Sequence, residues 1–482
     1  MPTCRPRVFL VLRVALALCA VFSLVAARAA ENSAAAPIDR VFNVRAFGAV
    51  GDGVALDTAA INRAIEACAA AGGGQVLVPP GRYLTGTLHL RSHLTLHLDA
   101  GARLVGPPNL ADYQFPAQPA AMPNAKWGKW HRALIVGENL EDVTLSGSGT
   151  IDGNKVFDPT GEEKMRGPHT VAFVNCRRFT IRDLSIVDSA NYAVLFHVSD
   201  EVDIRHVKIT GGWDGVHWRG SPERWCRNVN IVGCQFYTGD DAIAGSYWDN
   251  TVISDCIVNS SCNGIRLIGP ATRLIVRDCL FYGPGLHPHR TSNCTNMLAA
   301  INLQPGARGK TEGPLDDVVI SDVTMHRVAS PFALWIKPGN TAGRVPISRL
   351  DATGVYRAAP SVESWAEQPI SSVVFRDVNI EFDGGGKAEA APAPVVAPGF
   401  DARPLPVWGF YARHVENLLF EDVRLSCTAD DFRPVLKADA LKRLTLDRLR
   451  FTRVPGVTAA AVFTEVGEVR LLDTDLPGAG GR

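Results

Sequence analysis

Five stretches can be laid one above another: DGVHWRG (Asp214–Gly220), DAIAGSY (Asp241–Tyr247), NGIRLIG (Asn263–Gly269), AAINLQP (Ala299–Pro305) and FALWIKP (Phe332–Pro338). Taking Val216, Ile243, Ile265, Ile301 and Leu334 as one register, the steps are 27, 22, 36 and 33 residues. Two positions on stand Trp218, Gly245, Leu267, Leu303 and Ile336, again mostly apolar. Between them lie His217, Ala244, Arg266, Asn302 and Trp335, followed by Arg219, Ser246, Ile268, Gln304 and Lys337. Period-two alternation marks strands with one apolar and one largely polar face. Such strands, recurring without amphipathic helices between them, predict an all-β solenoid, a parallel β-helix whose coils stack on one another. The residues just before the register are Gly215, Ala242, Gly264, Ala300 and Ala333, a small column expected to floor a groove.

Working outward, the same rhythm is visible in LTLHLDAGARLVG, VTLSGSGTIDG, FTIRDLSIVDS and VDIRHVKITGG, and later in LLFEDVRLSC, LKRLTLDRLRF and GEVRLLDTDL. Upstream, Asp57 or Thr58 can cap a helix with Ile61, Ile65 and Cys68 on one face, ended by Gly72 to Gly74. That helix would cover the open end of the solenoid core. One domain is expected over 41–475, with insertions at about 113–131 and 383–406, the second Gly/Ala/Pro-rich and read as flexible. Residues 476–482 read as a frayed tail. Arg5 and Arg7 precede an apolar run ending in Ala27-Arg28-Ala29-Ala30, the pattern of a signal peptide over 1–30, with 31–40 a mobile segment. A secreted or periplasmic location follows.

The 49 basic and 49 acidic residues balance, which argues against a nucleic-acid partner. Of eleven cysteines, nine remain once Cys4 and Cys19 leave with the signal. Cys234, Cys256 and Cys279 recur at the coil period and read as a stack of core thiols. Neither a CxxC pair nor an HExxH motif is present, so neither a metal nor another cofactor is expected. A monomer is expected.

Two positions before the register stand Asp214 and Asp241, with Asp240 beside the second. Neighbouring strands lie about 4.8 Å apart, so three carboxylates would meet beside the groove. Aspartates of this kind also serve in turns, where they bond to backbone amides. Crowded acids raise at least one pKa, so one group can hold a proton while another accepts one. Hydrolysis of a glycosidic bond needs that division. His217, Arg219, Asn263, Arg266, Asn302, Gln304 and Lys337 are candidate substrate contacts, with Trp335, and Trp213 beside Asp214, as stacking platforms. His197, on an earlier coil, reads as solvated.

FNVRAFGAVGDG, GGGQVLVPPGRYLTG, GSGTIDG and TGDDAIAGS resemble family 28 glycoside hydrolases, the polygalacturonase-like pectinases, from about Phe42 to Lys337. The resemblance implies a right-handed parallel β-helix and hydrolysis with inversion. It also implies Asp240 as general acid, with Asp214 and Asp241 activating water. Gly212-Trp213-Asp214 keeps only the acid of the family's first motif, and Cys262-Asn263-Gly264 stands where the family has Gly-His-Gly. His217 would take over that histidine's place. The implied substrate is a polysaccharide or oligosaccharide of pectin type. A β-helical lyase or epimerase and a non-catalytic glycan-binding β-helix are the competing readings.

Overall fold

A computed structural model describes residues 40–116, 132–457 and 459–476. The signal segment, most of the insertion at 113–131 and nearly all of the tail lie outside the described residues. Two compact units divide the chain, Met1–Val41 and Phe42–Arg482; the second is the β-helix.

One face of the solenoid carries β1 (Ala133–Glu138), β2 (His169–Val174), β3 (Val194–His197), β4 (Val216–Arg219) and β5 (Ile243–Ser246). It continues through β6 (Asn263–Leu267), β7 (Ala299–Leu303), β8 (Phe332–Ile336), β9 (Ser361–Ser364) and β10 (Phe410–Ala429). Each strand pairs in parallel with the next. A second face stacks Glu141–Gly147, Arg177–Arg182, Asp200–Arg205, Cys226–Val232 and Trp248–Ser254. A third stacks Thr150–Asp152, Ser185–Val187, Lys208–Thr210, Gln235–Thr238 and Ile257–Ser260. At Ala271–Tyr282 the second and third faces fuse, one long strand pairing with a strand of each.

The corner between those faces is written locally. Gly233, Asp255 and Asp278 hold φ of 64°, 57° and 54°, a left-handed turn that Gly, Asp and Asn tolerate best. The next residue in each case is Cys234, Cys256 or Cys279, whose buried thiol donates to backbone carbonyls, as in Cys256 Sγ to Ser254 O at 3.2 Å. The column of thiols is therefore core. Inside the tube, Phe196 lies over Trp218 at 5.4 Å and Trp218 over Trp248 at 4.1 Å, nearly parallel.

The register Val216–Ile243–Ile265–Ile301 is found as read, but Ile301 pairs with Phe332 and Leu334 with Leu303. The last step has slipped by two residues. The small column does not floor a groove. A Cβ on Gly215 would lie 2.8 Å from Phe236 and one on Gly264 2.7 Å from Phe281, so interior rings fill that space.

Helix α1 (Thr58–Ala70) buries Ala60, Ile61, Ala64, Ile65 and Cys68 against the first coils. Asp57 occupies the N-cap but its carboxylate accepts instead from the amides of Val50 and Gly51, at 2.7 and 3.1 Å. It ties the Gly-rich turn to the helix, while Thr58 Oγ1 accepts from Gly86 N at 2.7 Å.

Candidate active site

The site lies on the outer side of β4 to β6, where two turns approach backbone to backbone. A Cβ on Gly239 would stand 2.5 Å from the Gly212 carbonyl oxygen, and Gly212 has φ +73°. That contact brings Asp240 alongside Asp214. Both, with Asp241, line one cavity of about 640 Å³ that His217, Arg219 and Arg266 also line.

Three segments between coils wall the cavity. The segment joining Asp152 to β2 supplies Glu162, Glu163 and Arg166. It closes tightly because a Cβ on Gly167 would meet the Val156 carbonyl oxygen at 2.0 Å. The Arg166 Nη2 lies 2.7 Å from both Asp240 Oδ2 and Glu163 Oε1, and Nη1 lies 3.5 Å from Asp214 Oδ1. Its guanidinium rests 3.8 Å over the Trp213 ring. The segment before β7 supplies His289, with Nε2 3.6 Å from Asp240 Oδ2. The segment before β10 supplies Asp401, with Oδ1 3.3 Å from Arg266 Nη2, which also donates to Phe400 O at 2.9 Å.

On the floor, Arg219 Nε stands 2.7 Å from His217 Nε2. A guanidinium only donates, so Nε2 accepts and the ring proton sits on Nδ1, pointing at Asp214 Oδ2 2.8 Å away. Tyr192 stacks flat on this imidazole at 4.4 Å. Asp241 Oδ1 accepts from Asn263 N and Nδ2, at 3.0 and 2.8 Å, and Arg266 Nη1 lies 3.6 Å from Oδ2.

The charge states follow from these neighbours. Burial pushes Asp214 well above the usual carboxylate range, and the negative charges of Asp240 and Asp241 add to it against the pull of Arg166. Burial also raises Asp241, with Arg266 opposing and Asp240 reinforcing. For Asp240 burial acts the same way, but the His289 hydrogen bond and the charge of Arg166 outweigh it and hold the group ionised. Burial, then Arg219, drives His217 well below its ordinary value. Burial brings Arg219 down to about 10. The surroundings thus push the acids of one enclosure in opposite directions. Glu163, Asp240 and His289 bring donor atoms within 4.8 Å of one another, and Arg166 already supplies the positive charge there.

The other predicted contacts are placed differently. Asn263 supports Asp241 from below, and Asn302 Nδ2 donates to Asn263 Oδ1 at 3.2 Å. Asn302 and Gln304 are both fully buried and line none of the cavity. Trp335, only 1% exposed, donates to Ser361 Oγ at 2.8 Å and lies under Arg403, so it offers no stacking face. The register slip contributes, since it sets Ala333 rather than Trp335 opposite Asn302. Trp213 is likewise closed off by Arg166 and Arg290. Lys337 sits beside the rim, donating to Gly399 O at 3.1 Å. His197 is buried rather than solvated. Arg166, His289 and Asp401 were not among the predicted residues, because they come from irregular segments that carry no periodic signal.

A family model described as rhamnogalacturonase A/epimerase, pectate lyase-like, matches residues 41–109, and one described as a right-handed β-helix region matches 143–295. A probable polygalacturonase of Vitis vinifera is 28% identical over 313 residues, covering 60% of this chain and 61% of the relative. An exopolygalacturonase of Platanus acerifolia is 22% identical over 399 residues, 76% of this chain and 97% of the relative. The chain is similar to polygalacturonases. Its handedness is that of the right-handed β-helix. The solved exopolygalacturonase of Thermotoga maritima shares the fold, with TM-score 0.59 at 19% identity over 80% of this chain and 92% of the other. Cys262, just before Asn263, lines the cavity, its thiol pKa raised well above the ordinary value by burial and then by Asp241 and Asp240.

Proposed function

We propose that the chain is an exported glycoside hydrolase that inverts configuration while cleaving a pectin-like glycan. Its substrate would be a galacturonate- or rhamnogalacturonan-containing polysaccharide or its oligosaccharides. The observation that carries this reading is the meeting of Asp214, Asp240 and Asp241 in one enclosure of sugar-binding size, about 640 Å³. One acid protonates the departing glycosidic oxygen while another draws a proton from the attacking water. Relatives named as polygalacturonases and exopolygalacturonases support the substrate class.

Three walling segments favour entry of a chain end over passage of a long polymer. Short oligosaccharides released one unit at a time are then the expected product pattern. No helix among the described residues is long and apolar enough to cross a membrane. Export rests on the segment Met1–Ala30 and is checked by sequencing the amino terminus of protein recovered outside the cytoplasm.

The deciding experiment measures reducing ends released from a panel of pectic fractions by the wild type and by Asp240→Asn. The expected loss is about a hundredfold or more, the scale of acid–base assistance. Unchanged turnover removes Asp240 from the chemistry. A product absorbing as an unsaturated uronide would replace hydrolysis by elimination, and binding without release would leave a lectin-like role.

A further inference from the structure

Arg266 stands on the floor strand β6 with its side chain only 3% exposed, and its guanidinium is engaged or shielded at every nitrogen. Nη1 lies 3.6 Å from Asp241 Oδ2 and 3.9 Å from Cys262 Sγ. Nη2 donates to Phe400 O at 2.9 Å and lies 3.3 Å from Asp401 Oδ1, while Nε is closed off from solvent. A guanidinium grips a carboxylate best through two parallel N–H groups, and Asp401 already stands against one of them. That acid is not a loose surface group. Lys337 holds Gly399 O at 3.1 Å, Phe400 O takes the Arg266 bond, Ala402 packs with Ala299, Ala333 and Trp335, and Arg403 forks onto Glu363. Fixed on both sides, Asp401 keeps its side chain 47% exposed and lines the cavity. Arg166 is likewise matched by Glu163, Asp214 and Asp240, and Arg219 has His217 Nε2 against its Nε. Arg308 differs: exposed at the cavity rim, it lies 4.9 Å from the Phe400 ring and ion-pairs with no acid among the described residues.

We propose that Asp401 is a specificity residue, which takes the carboxylate seat on Arg266 so that the ring bound there is a neutral sugar. A uronate at that seat would set two carboxylates against one guanidinium, and like charge turns it away. A ring with a hydroxymethyl or methyl group in that place brings no such charge. The proposal rests on the pectin-glycan reading and narrows it. A chain of alternating neutral and acidic rings fits this cavity better than a chain of uronates alone, since Arg308 remains at the rim to meet the charge of a neighbouring ring.

The test compares trigalacturonate with the same trimer after its carboxyl groups have been reduced to hydroxymethyl groups. Binding is measured by calorimetry in the Asp240→Asn background, so that neither ligand is cut. With Asp401 in place the reduced trimer should bind at least as tightly as the acidic one. Asp401→Asn, which keeps the size and removes the charge, should shift the affinity ratio toward trigalacturonate by about tenfold. Asp401→Glu, which restores the charge, should return most of that shift. An unmoved ratio overturns the proposal, and so does an Asp401→Glu protein that behaves like Asp401→Asn, because shape rather than charge would then be selecting. Trigalacturonate bound about tenfold tighter while Asp401 is present overturns it too, as does binding of neither trimer by any variant. A wild type that releases reducing ends from no pectic fraction sinks the hydrolase reading alone, since the affinity ratio still decides what Asp401 does.

Discussion

Burial pushes the imidazole of His197 down to about 3, with the charge of Arg219 adding to it, and His217 next to it is lowered for the same two reasons. Each is therefore neutral in the fold and chargeable once unfolded. A depressed pKa contributes stability that is complete above the unfolded value near 6.5 and is lost as pH falls toward the folded value. Asp214 acts oppositely: its raised pKa favours the fold below the ordinary carboxylate value and withdraws that support as pH rises. Comparing variants isolates the histidine share. Urea unfolding between about pH 7 and pH 4 should show His197→Gln with a shallower acid loss than wild type, by up to about 1.4 kcal/mol per pH unit. Equal slopes would mean that His197 is protonated in the native state. At this scale the sequence was informative where residues repeat with the coil. Asp214 and Asp241 share a register, so their meeting was legible. Arg166 lies 48 residues before Asp214 and 74 before Asp240, in a stretch with no period, and nothing local says which way it folds.

The segment between Gly384 and β10 shows how far composition misleads about an element. Its Gly/Ala/Pro content suggests a loose excursion, yet its last third is fastened to the coils. Arg403 forks onto Glu363 at 3.0 and 2.8 Å, Arg266 and Lys337 hold the carbonyls of Phe400 and Gly399, and Arg433 Nη1 donates to Leu405 O at 3.0 Å. Glu363 is completely buried, so losing its partner strands a charge. Arg403→Ala should cost about 3–5 kcal/mol in denaturant unfolding, and the double variant Glu363→Gln/Arg403→Met should recover most of it. If the double is as unstable as the single, the pair is not what fastens the segment. The slip between β7 and β8 was illegible for a different reason. Moving a strand by two residues keeps every side chain on its own face, so alternation looks the same in both registers. Only the neighbours change, which puts Ala333 rather than Trp335 opposite Asn302.

For the whole molecule, each coil rests on its two neighbours, so the ends decide where unfolding starts. Helix α1 covers one end with Ile61 and Ile65 fully buried. Ile65→Ala should cost about 2–5 kcal/mol locally. Hydrogen exchange should show lost protection confined to the coils nearest α1, with β4 to β6 unaffected. Loss spread evenly along the solenoid would mean that it unfolds as one cooperative block. This end cap was readable because amphipathic helical spacing breaks the strand rhythm at one place.

Trp218 and Trp248 lie face to face immediately beneath the strand that carries His217 and Arg219. The light these two indoles absorb and emit, isolated by replacing the other seven tryptophans with Phe, would report on the plate under the reacting groups. An inactive variant whose ultraviolet emission matches the parent has lost chemistry, whereas one whose emission shifts has lost the plate itself.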